Sequence, residues 1–177
     1  VNRERDSTGQ RAGDSRSERR EEAWGLGIQG YYDAALEILE DLLKENPLDV
    51  VSLRLKGNLL ELKEMDLLEY SGRRLISSPA YLAARACYER ILEVDPGNVR
   101  ARIDLGDHYR NLDAIDKAIE CYSEALRALR QRPEEGTWKE DVEELLKAVG
   151  LLTKHDRLAG QAKSIESWCR EALDASD

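Results

Sequence analysis

Two cysteine–tyrosine pairs are the residues in this 177-residue chain whose types first suggest chemistry: Cys87–Tyr88 in "ARACYERIL" and Cys121–Tyr122 in "ECYSEAL". A thiolate is both a nucleophile and a ligand for soft metals. The chain has only three cysteines, however, and none forms a C-x-x-C spacing. That pattern predicts neither a disulfide framework nor a zinc knuckle, and fits a protein of a reducing compartment, the cytoplasm. His108 follows Asp104 at i+4, which on a helix would present both to one metal ion, but no third ligand is in reach. His155 precedes Asp156 in a predicted turn, where helix-end chemistry accounts for it. There is no Gly-rich phosphate loop, no G-x-S-x-G and no H-E-x-x-H. Trp24, Trp138 and Trp168 are scattered in sequence and offer no stacking platform for nucleic acid. The expectation is a protein that is not an enzyme, with no cofactor, no catalytic residues and no metal. A metal-binding or enzymatic helical protein resting on Asp104 and His108 is the minor alternative.

What must position these residues is a set of helices. Leu, Ala, Glu, Arg and Lys dominate, only four residues are proline and none is phenylalanine. With 36% charged and 41% apolar residues, the chain reads as all-α, with many solvated faces around a thin core. The formal charge of −9 argues against nucleic acid and anionic membranes as general partners. No apolar run reaches the length of a spanning helix, and the N-terminus has no signal-peptide core. Val1 suggests a processed start or a piece of a longer polypeptide. Residues 1–16 have almost no apolar side chain, which predicts a disordered charged leader ahead of a helical domain over 17–177.

Aligned on alanines, three segments share one stripe. Ala35, Ala84 and Ala118 are followed four residues later by Leu39, Tyr88 and Tyr122, then three further on by Leu42, Ile91 and Ala125. Steps of four and three put each set on one helical face. Pro47 and Pro96 each come twelve residues after their alanine, where they stop the helix. A small residue in a preceding helix, Ala23, Gly57 or Gly106, lets two helices approach closely, so each unit reads as an antiparallel hairpin. Ala23 and Gly106 stand twelve residues before their alanines. Gly57 stands 27 before Ala84, which leaves an insert at 64–79. Met65, Leu67, Leu68 and Tyr70 would continue the first helix until Ser71-Gly72. Ser78 then reads as an N-cap before Pro79. The insert either packs back on the array or touches a partner. Beyond 134, Thr137 with Glu140 forms a capping-box signature ahead of Val142, Leu145, Leu146 and Val149. Asp156 can cap a last helix carrying Leu158, Ala162, Ile165, Cys169 and Ala172.

With these slots in place, the chain resembles the tetratricopeptide repeat family over roughly 16–132. The third unit matches best, at Leu105, Gly106, Tyr109, Ala118, Tyr122 and Ala125, with Pro133 slightly late. The resemblance implies a right-handed array of antiparallel helical hairpins, a TPR-like α-solenoid. Its repeats lie at about 17–49, 50–98 and 99–132, followed by capping helices over 137–176. It further implies that the first helices line a concave groove that holds a partner's peptide segment. By position the groove residues are Val51, Arg54, Asn58 and Glu61 in the second unit, and Arg100, Ile103, Asp107 and Arg110 in the third. The arginines suit an acidic peptide or a chain terminus. Arg54 and Asn58 resemble half of the clamp by which one family subset holds a chaperone's C-terminal carboxylate, but Asp104 stands where the next asparagine belongs, so that clamp is not expected. The leading function is a protein–protein interaction scaffold or adaptor. The alternative is a small acidic chaperone for secreted effector proteins. Homodimerisation through the insert or the C-terminal helices stays open. In this frame the two Cys-Tyr pairs fill equivalent slots of consecutive units, at a helix-packing separation of roughly 8–10 Å, beyond disulfide reach.

Overall fold

The computed structural model describes residues 4–71, 78–132, 136–152 and 159–176, and for 4–14, 68–71 and 159 the backbone alone. Among the described residues there are eight helices and no strand. They are α1 (Glu4–Ile28), α2 (Tyr32–Glu45), α3 (Val50–Ser71), α4 (Pro79–Val94), α5 (Val99–Asn111), α6 (Ile115–Gln131), α7 (Trp138–Gly150) and α8 (Ala159–Asp174). The chain divides into two units, 1–90 and 91–177, and the division falls inside α4.

In the first unit, α1 packs along α2, and α3 packs on both. Ala23, Ala35, Leu39, Leu42 and Leu59 form the buried centre, flanked by Leu26, Leu36, Ile38, Leu55 and Leu62. The first helix begins at Glu4, not near residue 17, so over 4–16 the disordered leader is corrected to helix. Propagating an existing helix is cheap once one turn is fixed, and α1 is fixed further along by packing and by ion pairs. Arg16 and Arg19 reach Glu45, at 3.8 and 2.7 Å. Arg20 holds Asp49 at 2.5 Å, and Asp49 in turn accepts from the Ser52 hydroxyl.

Pro47, Pro96 and Ser78 punctuate the helices where the sequence places them. α2 ends at Glu45 with Pro47 in the following turn, and α4 ends at Val94 ahead of Pro96. α3 runs on to Ser71, 22 residues against 13 for α5; Gly72, half of the expected stop, lies outside the described residues. On this extension Met65 and Leu67 are about half exposed. Residues 72–77 lie outside the described residues. Ser78 caps α4, accepting from the Tyr81 amide at 3.3 Å. Thr137 does not make the capping box. Its hydroxyl donates to Asp141, and no side-chain bond reaches the first-turn amides. Pro133 and Asp156 lie outside the described residues.

The second unit is built from the hairpins α5–α6 and α7–α8, with α7 also against α5 and α8 against α6. One continuous core joins them: Ile103, Ala118, Tyr122, Ala125, Leu129, Trp138, Val142, Leu145, Val149, Ala162, Ile165 and Cys169 are all buried in it. Burying a large apolar side chain contributes about 1.5–3 kcal/mol. α8 thus covers the apolar side of α6 and α7 and turns Lys163, Ser164, Ser167 and Arg170 outward.

Both visible hairpin turns bend the same way. Gly30 (φ 86°), between α1 and α2, and Asp113 (φ 59°), between α5 and α6, each occupy the left-handed region. Each is followed by an amide that bonds back into the first helix, Tyr31 to the Leu26 carbonyl and Ala114 to that of Tyr109.

Candidate functional site

The construction of each hairpin starts at the glycine slot. A Cβ on Gly57 would stand 2.5 Å from Tyr88 Cε1, and one on Gly106 would stand 2.4 Å from Tyr122 Cε1. Two successive repeats therefore seat a tyrosine ring against a bare helix backbone. Both tyrosines are fully buried. A buried phenol needs a hydrogen-bond partner, and in both repeats the residue after the glycine supplies it. The Tyr88 hydroxyl donates to Asn58 Oδ1 at 2.8 Å, and that of Tyr122 donates to Asp107 Oδ1 at 2.6 Å.

Asn58 and Asp107 are two of the residues expected on the binding face. In the second unit the network continues. Arg110 Nη1 donates to Asp107 Oδ1 at 2.5 Å, and lies 3.3 Å from the Tyr122 hydroxyl and 3.4 Å from the Ala148 carbonyl on α7. Arg100 Nε donates to Asp141 Oδ1, also on α7, at 2.5 Å. Partial burial pushes the Asp107 carboxyl up, against the Tyr122 bond and the Arg110 charge, with the Glu144 charge adding to the rise. Tyr122 is driven well above the ordinary phenol range by burial and by the neighbouring Asp107.

The expected site residues thus divide. On α3, Val51 is half exposed, Arg54 and Asn58 are part-buried, and Glu61 is buried. On α5, Arg100, Asp107 and Arg110 are part-buried, but Ile103 is 1% exposed and belongs to the core. Ile103 is corrected from a contact residue to a core residue, because the step from Arg100 turns it toward α6 and α7. Sequence reasoning also missed Asp141, and the hydroxyl contacts by which Tyr88 and Tyr122 hold face residues. The signal for the tyrosines was present: the chain has no phenylalanine, so its core aromatic slots carry hydroxyls that require acceptors.

The remaining chemistry-bearing residues are built into the structure. All three cysteines are free and buried. Burial raises the Cys87 thiol and pushes Cys121 to about 11 and Cys169 to about 12, which keeps them protonated and unreactive at neutral pH. His108 is fully buried and stands edge-on to Tyr109, with centroids 5.7 Å apart. Among the described residues no group of three His, Cys, Asp or Glu is placed to hold a metal. None of the described helices is long and apolar enough to cross a membrane. Two tryptophans that are far apart in sequence do meet: Trp138 and Trp168 stack edge to face at 6.3 Å, and Trp138 Nε1 donates to the Leu129 carbonyl. Arg130 lies over the Trp168 ring. With Trp138 in the core, this pair locks α7 and α8 to the end of α6.

Helical hairpins that each set a small residue against a second-helix aromatic define a helical-repeat protein. Residues 75–135 match the tetratricopeptide repeat family. The chain is 36% identical over 92 residues to the human protein O-mannosyl-transferase TMTC3. That match takes in 52% of this chain and 8% of the relative's length. Among solved structures, a MamA double mutant of strain RS-1 superposes with a TM-score of 0.55 at 19% identity, over 92% of this chain and 77% of that one. MamA from residue 41 to its end, from Desulfovibrio magneticus RS-1, gives 0.54 with the same identity and coverage. At that identity the likeness is one of fold.

Proposed function

We propose that this chain is a non-catalytic protein-interaction scaffold that holds a peptide segment of a protein partner on the first-helix faces of its repeats. The contact residues are Val51, Arg54 and Asn58 on α3, and Arg100, Asp107 and Arg110 on α5, with Glu61 and Ile103 lying beneath them. One observation carries this reading. On α5, charged side chains that remain part-exposed are held in fixed positions by Tyr122, Asp141 and the Ala148 carbonyl. Groups fixed before binding lose little entropy when a ligand arrives. The arginines make an acidic segment the first ligand to test. We assign the chain to the cytoplasm on its three free, buried cysteines.

The test is selection of a displayed peptide library against the purified chain, followed by affinity measurement on a variant carrying Arg54→Glu, Arg100→Glu and Arg110→Glu. Selected peptides should lose at least about tenfold in affinity, the equivalent of one lost charge-assisted contact. Unchanged affinity, or no selected peptide, would overturn the reading. Retention of one abundant client through purification would instead favour a dedicated chaperone. Concentration-dependent sedimentation decides whether two copies associate.

A further inference from the structure

The two faces differ in charge at the residue beside the tyrosine hydroxyl, an asparagine in one and an aspartate in the other. In the first unit Tyr88 donates to an amide, Asn58. In the second, Tyr122 donates to a carboxylate, Asp107, whose same oxygen also takes Arg110 Nη1 at 2.5 Å. Arg110 Nη1 also lies 3.3 Å from the Tyr122 hydroxyl and 3.4 Å from the Ala148 carbonyl, so an internal carboxylate competes with an acidic ligand for this guanidinium.

We propose that Asp107 is the residue that sets the charge preference of the α5 face, and that Tyr122 is its positioning residue, acting from the core. The proposal rests on the peptide-binding reading. Tyr122 fixes Asp107 Oδ1, Asp107 offsets the Arg110 charge, and the α5 face thereby holds carboxylates less tightly than its arginines alone would. The fold itself supplies the control. Asn58 shows that an asparagine fits beside the glycine and still accepts from the tyrosine, so Asp107→Asn keeps the Tyr122 bond while removing the competing charge.

The experiment uses the full chain and two fluorescent probes, hexaglutamate and hexalysine peptides, titrated at low salt. Asp107→Asn should bind hexaglutamate about tenfold more tightly than the parent, since a hydrogen bond to a charged group is worth about that factor or more. Adding Arg110→Ala should return the affinity to the parental value. Tyr122→Phe, which keeps the ring and frees the carboxylate from its hydroxyl, should shift the ratio of hexaglutamate to hexalysine affinity, a readout that loss of stability alone would not move. If the parent binds hexaglutamate as tightly as Asp107→Asn does, the assignment of Asp107 fails while the peptide-binding reading stands. If neither chain binds either peptide, both fail. Should Asp107→Asn not fold, the Tyr122→Phe ratio carries the test, and an unchanged ratio overturns the proposal.

Discussion

The Tyr122 hydroxyl donates to Asp107 at 2.6 Å, and the Tyr88 hydroxyl donates to Asn58 at 2.8 Å from the equivalent slot of the preceding repeat. A core aromatic and a face residue are thus tied together twice, once through a charged acceptor and once through a neutral one. Hydrogen bonds to charged groups contribute about 1.5–3 kcal/mol and neutral ones about 0.5–1.5. Tyr122→Phe should therefore cost more stability than Tyr88→Phe, by about 1 kcal/mol, in urea unfolding followed by circular dichroism. Equal costs would mean that the acceptor's charge does not matter.

Gly106→Ala should destabilise by about 1–3 kcal/mol, because the new methyl meets the ring of a fully buried tyrosine. Gly25→Ala is the control. It lies inside α1 with nothing within 4 Å of its added carbon. There the helix should gain about 0.5–1 kcal/mol. Opposite signs in thermal unfolding are the expected result; a loss at both positions would show that the tyrosine contact is not the cause at Gly106.

Asp113 holds φ at 59°, in a turn where the first hairpin uses Gly30. An L-residue in that region costs about 1–2 kcal/mol. Asp113→Gly should raise stability by about 1 kcal/mol after the larger unfolded-state entropy of glycine is subtracted. A lower melting temperature would count against the strain.

Two carboxylates should respond to pH with opposite sign. Burial pushes Asp49 up, but the Arg20 and Ser52 hydrogen bonds and the Arg20 charge outweigh it and hold the group below its ordinary value. Its stabilisation is present above the unfolded-state pKa and is lost as pH falls through the folded one. Asp107 is shifted upward, so its folded form favours the proton, and the contribution fades as pH rises through the folded pKa. Across the range from about pH 3 to about pH 6, around the ordinary aspartate value, the penalty of Asp49→Asn should grow with pH and that of Asp107→Asn should shrink. Parallel urea titrations check this, and parallel slopes would contradict it.

The hairpin frame was legible in the sequence because its signals are steric and periodic. Gly57, Gly106, Tyr88 and Tyr122 stand at helical spacings that only close packing explains, and Pro47, Pro96 and Ser78 punctuate the helices locally. The start of α1 at Glu4 was not legible, since composition reports the burial a segment lacks and not the helix that its neighbour can propagate through it. Ile103 shares the spacing of a face residue, yet α7 packs beside α5, and no pattern within α5 announces that neighbour. The polar networks were hidden for a similar reason. Arg100 pairs with Asp141 across 41 residues and Tyr122 with Asp107 across 15, so the charge each arginine offers a ligand depends on acceptors that spacing does not reveal. Thr137 illustrates the converse: the capping-box letters are present, but no side-chain bond reaches the first-turn amides.

The central claim is that a partner's peptide lies on the first-helix faces, and site-specific photo-crosslinking tests it most directly. A photoreactive side chain placed at Val51, the half-exposed residue of the α3 face, or at Glu120, an exposed residue of α6, is irradiated with a library-selected peptide bound. The account predicts a crosslinked product from Val51 and none from Glu120. Crosslinking from Glu120 with Val51 silent would contradict it.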